Sequence, residues 1–263
     1  MKIFVTGSRG FIGSHLVNAL SEYELTTFDW NHDKEFPKLE GNYDWVIHLG
    51  AISSTTETDV EKIMHQNYDF SVSLFELCRE QNINFQYASS ASVYGLGDRF
   101  DEEAPVDPRT PYAWSKYLFE RYVKAYPANH IRVQGFRYFN VYGPEGEEHK
   151  GSQASPYAQF KHQAEHDGVI KLFEGSENVK RDFIHVSDVV NTHIKFFHVM
   201  ESGVWNVGTG VTTSFRDIAE KFNAKIVEIP VPDALKSSYQ RYTCADTTKL
   251  KQTLDAYNRD FLC

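Results

Sequence analysis

The chain has 263 residues, 41% hydrophobic and 14% aromatic, enough to bury a full α/β core with a small second lobe, and this composition argues against disorder. A formal net charge of −9 leaves no basic footprint, so neither nucleic acid nor an anionic membrane surface is an expected partner. No stretch approaches the roughly 20 apolar residues of a membrane span and no signal-like run opens the sequence, which makes a cytoplasmic protein the expectation, while Cys78, Cys244 and Cys263 lie too far apart to read as a disulfide framework or a zinc site.

Lys2 to Thr6 is a short β-rich run, followed by a glycine turn from Gly7 to Gly13 and a helix in FIGSHLVNAL with Ile12, Leu16, Ala19 and Leu20 on one face. At Gly7, Gly10 and Gly13 the missing side chains let backbone amides approach a pyrophosphate at the helix N-terminus; the bland alternative is a tight turn with a packing glycine. A second strand, Glu24 to Phe28, ends at Asp29, which follows Gly7 by 22 residues, close to the spacing at which a carboxylate meets the adenosine ribose hydroxyls. Asp29 would repel a 2′-phosphate that Arg9 and Lys34 would attract, and the balance favours NADP over NAD by a small margin. Only fifteen residues separate Asp29 from Trp45, too few for the usual extra helix and strand, so the adenine side of the pocket is abbreviated.

WVIHLGA (Trp45 to Ala51) and FQYASSA (Phe85 to Ala91) read as buried parallel strands, and their alternation with helices predicts an α/β, doubly wound parallel sheet of the Rossmann type. Ser90 closes the second of them at the carboxyl edge, where open α/β sheets bind ligands, with Ser89 and Ser92 as rivals. In PYAWSKYLFERYVKAY, Tyr112 and Lys116 lie four apart on one helical face, where a lysine and a positive nicotinamide ring favour the phenolate that a general base requires. Pairs at this spacing also occur by chance on surface helices. After Pro144 comes the polar stretch EGEEHKGSQAS, and a further strand and helix follow between Trp205 and Phe222, with Ser214 and Asp217 spaced as a capping box. The expected division is a dinucleotide-binding domain over 1–143 with a return segment at about 182–213, and a small substrate lobe from 144–181 and 214–263.

Together TGSRGFIG, Asp29, VIHLGA, YASSASVYG and YAWSK resemble the extended short-chain dehydrogenases of the NAD-dependent epimerase/dehydratase family, nearly end to end. Within it, GAISSTTETD, FRYFNVYGPEGEEHKGSQAS, KLFEGSENVKRDFIHVSDV and SSYQRYTCADTTKL are similar to the epimerases that act on carbon 6 of ADP-linked glycero-manno-heptose. The resemblance implies oxidation of that carbon to a transient ketone and its reduction on the other face, with Ser90, Tyr112, Lys116 and Lys150 as catalytic positions. Without the resemblance Lys150 is an ordinary solvated lysine beside Glu147 and Glu148. Implied cofactor-lining positions are Gly7, Arg9, Gly10, Phe11, Ile12, Gly13, Asp29, Trp30, Leu49, Gly50, Ala51, Ser53 and Val141, joined by Tyr112 and Lys116. For the nucleotide sugar the resemblance implies Ser90, Asn140, Ser152, Gln159, Phe173, Glu174, Gly175, Ser176, Arg181 and Tyr239. Arg181 suits a diphosphate because its fork donates to two oxygens, the alternative being an ion pair with Asp182.

The family also implies a homo-oligomer. Departures from its pattern are the loss of a lysine-bearing stretch after Asp29, Trp30 where a small polar residue is usual, Gln159 for a histidine, and a chain expected to lack an amphipathic terminal helix before Cys263. Three other functions stay open: a 4-epimerase or a 4-keto reductase of the same fold, which use the same Tyr/Lys/Ser set, and a non-catalytic NAD(P)-binding sensor. Dehydration is disfavoured, because Ala91 and Ser92 stand where a dehydratase carries an acidic pair.

Overall fold

A computed structural model describes residues 1–30, 36–54, 57–147, 151, 154–233 and 240–260, with 258–260 as helix backbone alone. In chain order the first layer runs β1 (Lys2–Thr6), α1 (Phe11–Ala19), β2 (Glu24–Phe28), β3 (Trp45–His48), α2 (Val60–Ile63), a π-helical turn (Met64–Asp69), α3 (Phe70–Gln81), β4 (Asn84–Ser90), α4 (Pro111–Ala125) and β5 (Val133–Tyr138). The chain then leaves for β6 (Asn140–Tyr142), α5 (Pro156–His166), β7 (Val169–Phe173) and β8 (Lys180–His185), and returns through α6 (Val186–Phe196) and β9 (Gly203–Val207). It ends with β10 (Thr212–Ser214), α7 (Phe215–Ala219), β11 (Lys225–Ile229), β12 (Tyr242–Thr243) and α8 (Thr248–Asp260).

Six strands form one all-parallel sheet in the order β2-β1-β3-β4-β5-β9, the doubly wound fold expected. Period-two alternation decides its faces. Ile3, Val5, Trp45 and Ile47 pack against Leu16 and Leu20 of the first helix region and Val190 and Phe197 of the α6 region. Phe4, Val46 and Phe85 face the other way, onto Phe70, Leu74, Phe75 and Cys78 of α3 and Phe119 of α4. In α1 the buried positions are Phe11, Gly13 and Leu16; Ala19, expected on the inner face, is exposed because the helix ends there.

Because β2 and β3 leave β1 in opposite directions, a crevice opens at their carboxyl ends, the topological switch point. Among the described residues no strand or helix lies between β2 and β3, so β2 is the sheet edge.

The second layer is smaller. β8 pairs with β6, β10 and β12, while β7 and β11 form a parallel pair under α5 and α7, with Phe160, Ile170, Leu172, Ile218 and Ala219 at the centre. Asp182, fully buried on β8, accepts backbone N–H bonds from Thr209 (2.8 Å), Gly210 (2.8 Å) and Ala245 (3.1 Å), pinning three segments together. The expected capping box forms at α7: Ser214 Oγ accepts from Asp217 N (3.0 Å) and Asp217 Oδ2 accepts from Ser214 N (3.2 Å).

One expectation is overturned. The chain does carry a terminal helix, α8, with Leu250, Leu254 and Tyr257 packed toward Phe136, Trp205 and Val207. Trp205 Nε1 donates to Thr253 Oγ1 (3.0 Å) and Lys249 Nζ to the Val204 carbonyl (2.7 Å). The helix therefore covers β9 of the large sheet, although it falls within the 214–263 expected for the small lobe. No helix among the described residues is long and apolar enough to cross a membrane.

Candidate active site

The glycine turn is built by close approach. Gly7 adopts a φ of +71°, and a Cβ there would sit 2.5 Å from Gly50 N; one on Gly13 would sit 2.0 Å from the Gly7 carbonyl oxygen. Gly7 N donates to the Phe28 carbonyl (2.8 Å) and Gly50 N to Thr6 Oγ1 (3.2 Å), so the ends of β1, β2 and β3 meet at one point. The N-cap of α1 is Gly10, which offers no side chain to cap the helix. A turn held this close, opening onto an uncapped helix N-terminus at the switch point, fits the pyrophosphate of a dinucleotide.

Around this turn Arg9 is exposed, Phe11 is buried against the Gly143 loop, and Ile12 and Leu49 pack into the core. Asp29 and Trp30 follow β2; Gly50, Ala51 and Ser53 follow β3. Val141 and Asn140 sit on β6, paired with Ile184 and Phe183. Lys34 lies outside the described residues.

Across the crevice, α4 starts just ahead of Tyr112. Thr110 Oγ1 caps the Ala113 N–H (3.1 Å) and Pro111 takes the first helical position. Strand alternation separates the serine rivals: Ser90 shares a hydrogen bond with the Tyr112 phenol, whereas Ser89 faces α4 and donates to Glu120 Oε1 (2.5 Å). Ser90 Oγ also accepts from Ser92 N (3.2 Å), leaving its proton for Tyr112. Lys116, 6% exposed, donates from Nζ to the Ala88 carbonyl (3.0 Å), with Nζ 5.9 Å from the Tyr112 ring centre.

The electrostatics differ from the sequence expectation. Burial pushes the Tyr112 phenol above its ordinary range, opposed by the Ser90 hydrogen bond, and burial pulls Lys116 down to about 8 against the pull of Glu120. Lys116 directs one of its N–H groups to the Ala88 carbonyl, and burial outweighs the Ser90 hydrogen bond, so the phenol stays raised in the polypeptide alone.

Three buried networks brace these residues, and the sequence reading missed all of them. In the first, Asn67, 1% exposed in the π-helical turn, accepts from Ile52 N (2.8 Å) and donates to the Ile52 carbonyl (3.0 Å) and Ser115 Oγ (3.1 Å), while Ser115 Oγ donates to the Tyr112 carbonyl (2.7 Å). The loop after β3 is thus tied to the first turn of α4. Ser71 Oγ donates to the Asn67 carbonyl, so His48 Nε2 donates to Ser71 (2.7 Å) and His48 Nδ1 accepts from Thr6 Oγ1 (2.6 Å). Burial holds His48 neutral, its pKa lowered to about 3.

In the second, Arg137 donates to Glu120 through Nε (3.0 Å) and Nη2 (2.6 Å) and to Tyr94 Oη through Nη1 (2.9 Å). In the third, Tyr138, paired in register with Ser90, lies 2.5 Å from His193 Nε2, and His193 Nδ1 meets Gln86 Oε1 at 2.7 Å. His193 is likewise pulled to about 3 by burial. A visible signal existed for the second network alone: Glu120 stands four residues after Lys116, and Arg137 interrupts an apolar strand.

The small-lobe candidates spread over several elements. Phe173 ends β7, Glu174 N donates to the Ile229 carbonyl (2.9 Å), and Gly175 (φ +76°) turns the chain into Ser176, whose buried Oγ has no partner among the described residues. Gln159 Nε2 donates to the Ala154 carbonyl (2.7 Å). Arg181 is buried over the Phe215 ring (5.6 Å) and donates to the carbonyls of Lys180 (3.0 Å) and Gln240, while the Asp182 carboxylate is taken up by backbone N–H groups. Lys150, Ser152 and Tyr239 lie outside the described residues.

A model of the NAD dependent epimerase/dehydratase family matches residues 3–208. Among solved structures, the ADP-L-glycero-D-manno-heptose-6-epimerase of Helicobacter pylori is similar at 26% identity and a TM-score of 0.84, over 97% of this chain and 90% of that one. UDP-glucose 4-epimerase of Thermotoga maritima, solved with UDP-glucose, is similar at 26% identity and 0.81, over the whole of both chains. MoeE5, solved with UDP-glucuronic acid and NAD, is similar at 25% identity and 0.79, over 97% of this chain and 93% of that one.

Proposed function

Because this chain belongs to the NAD dependent epimerase/dehydratase family, we propose that it is a nucleotide-sugar epimerase that inverts carbon 6 of ADP-glycero-manno-heptose, with NADP as its preferred cofactor. The observation that carries an oxidoreductive epimerase is the Ser90, Tyr112 and Lys116 group at the carboxyl end of β4, on the same edge of the parallel sheet as the Gly7–Gly50 cradle. A bound nicotinamide supplies the acceptor and donor of the carbon-bound hydrogen. Tyr112 takes the hydroxyl proton as that hydrogen leaves, Ser90 orients the reacting oxygen, and Lys116 keeps a positive charge near the phenolate. The ketone formed on the sugar is reduced on its opposite face, where Lys150 returns the proton in this reading.

The likeness to the heptose epimerase and the long similar segments support the heptose. The Thermotoga UDP-glucose 4-epimerase, as similar in sequence and matched over its full length, supports a second reading, 4-epimerisation of a UDP-hexose. Proton NMR of ADP-D-glycero-D-manno-heptose with purified protein is expected to show the carbon-6 epimer without net NADPH consumption. Tyr112→Phe should lower kcat on the order of 10²–10⁴-fold, and Lys150→Ala should abolish interconversion. Inversion of UDP-glucose with an inert heptose would replace the first reading by the second.

A further inference from the structure

We infer that Trp30, braced by His65 and Phe70, is the face on which the purine ring of the dinucleotide stacks. The inference rests on the dinucleotide reading above and adds how the adenine end is held.

Position comes first. Phe28 pairs with Thr6 in register and its carbonyl accepts the Gly7 N–H, so Asp29 and Trp30 emerge at the carboxyl edge directly beside the glycine turn. A ribose meeting Asp29 carries its base toward the residue that follows. In this chain that residue is an indole, beside a strand that is the sheet edge among the described residues.

Packing comes second. Trp30 is 39% exposed although three rings touch it: Phe28 at 6.4 Å and 72°, His65 at 5.8 Å and 80°, and Phe70 at 5.2 Å and 82°. All three are close to perpendicular, so none of them is stacked on the indole. Bonding from i to i+5 in the π-helical turn brings residues five apart toward one side, which is how His65 and Phe70 both reach Trp30. Phe70 is itself fixed, stacked on Phe28 (5.6 Å, 15°) and flanked by Phe36 (5.2 Å) and His48 (5.6 Å). The result is an exposed ring of fixed orientation, the arrangement that lets nucleobases stack with little loss of side-chain freedom.

Recognition by a π-face, without hydrogen bonds to the base edge, tolerates any purine. The test is calorimetric titration of nucleotide-free protein with NADP+, NAD+ and the hypoxanthine analogue of NAD+, together with tryptophan emission, on the wild type, Trp30→Phe and Trp30→Leu. Trp30→Leu is expected to weaken all three dinucleotides on the order of tenfold or more, whereas Trp30→Phe keeps them within about threefold and loses most of the quenching. The hypoxanthine analogue should bind the wild type within about threefold of NAD+. Unchanged affinity in folded Trp30→Leu, or a wild type that rejects hypoxanthine, overturns the inference. If the wild type binds ADP in a Trp30-dependent way but no nicotinamide dinucleotide, the cofactor reading falls and the stacking face stands; no nucleotide binding at all overturns both.

Discussion

The two ends of the crevice are built by opposite means. At the Tyr112 end the catalytic helix is tied down by buried hydrogen bonds and an ion pair, with Asn67, Ser115, Glu120 and Arg137 all engaged. At the Trp30 end, on an edge strand, the contacts are aromatic and half open to solvent. Buried polar networks hold geometry tightly and fail badly when one member is lost, whereas exposed aromatic contacts adapt. Substitutions at the first end should therefore register as lost stability, and at the second as altered binding.

The sharpest way to break this contrast is to remove one charge from the buried pair. Glu120→Ala leaves Arg137 without its partner and should cost about 3–5 kcal/mol in urea unfolding, while Glu120→Leu combined with Arg137→Met should recover most of it. A single-variant cost below about 1 kcal/mol would place the stability elsewhere.

Per pH unit, acid has a smaller effect. In the unfolded chain His48 and His193 titrate near 6.5, and in the fold burial lowers both to about 3. Between those values the unfolded chain holds more protons, so their contribution to stability is fully present above pH 6.5 and is lost as pH falls toward 3, by up to about 1.4 kcal/mol per pH unit for each ring. Unfolding curves of His48→Asn and His193→Gln should be flatter than the wild type over that window; parallel curves would show that these rings do not carry the slope.

The smallest expected change is at the open end. Arg9→Ala should leave the unfolding free energy within about 0.5 kcal/mol, yet calorimetry should show preference for NADP over NAD falling on the order of five- to tenfold. A stability loss there would erase the distinction between the two ends.

Local patterns carried much of this architecture. The glycine turn, the alternation of strands with helices and the Tyr112/Lys116 spacing depend on residues close in sequence, and the fifteen-residue gap after Asp29 marks the adenine side as abbreviated. The bracing networks were not legible because their partners are distant: Gln86 and His193 stand 107 residues apart, and Asn67 and Ser115 stand 48 apart. Nor does sequence show that Lys116 points its proton at a carbonyl. The terminal helix is a different case. Leu250, Leu254 and Tyr257 recur at helical spacing, a period legible in the sequence that prevails over the shortened ending expected from the family's pattern.

The π-helical turn at Met64–Asp69 has a consequence for insertions and deletions. A wider turn reads as one residue accommodated within a helix that is otherwise α-helical on both sides, so deleting one residue there would let α2 and α3 join smoothly, at little expense to the backbone. The same deletion would rotate everything before it relative to everything after, parting His65 from Phe70 and pulling Asn67 from Ile52 or Ser115. The helix would survive and both ends of the crevice would be lost, which makes this turn a site where length is read by function before it is read by folding.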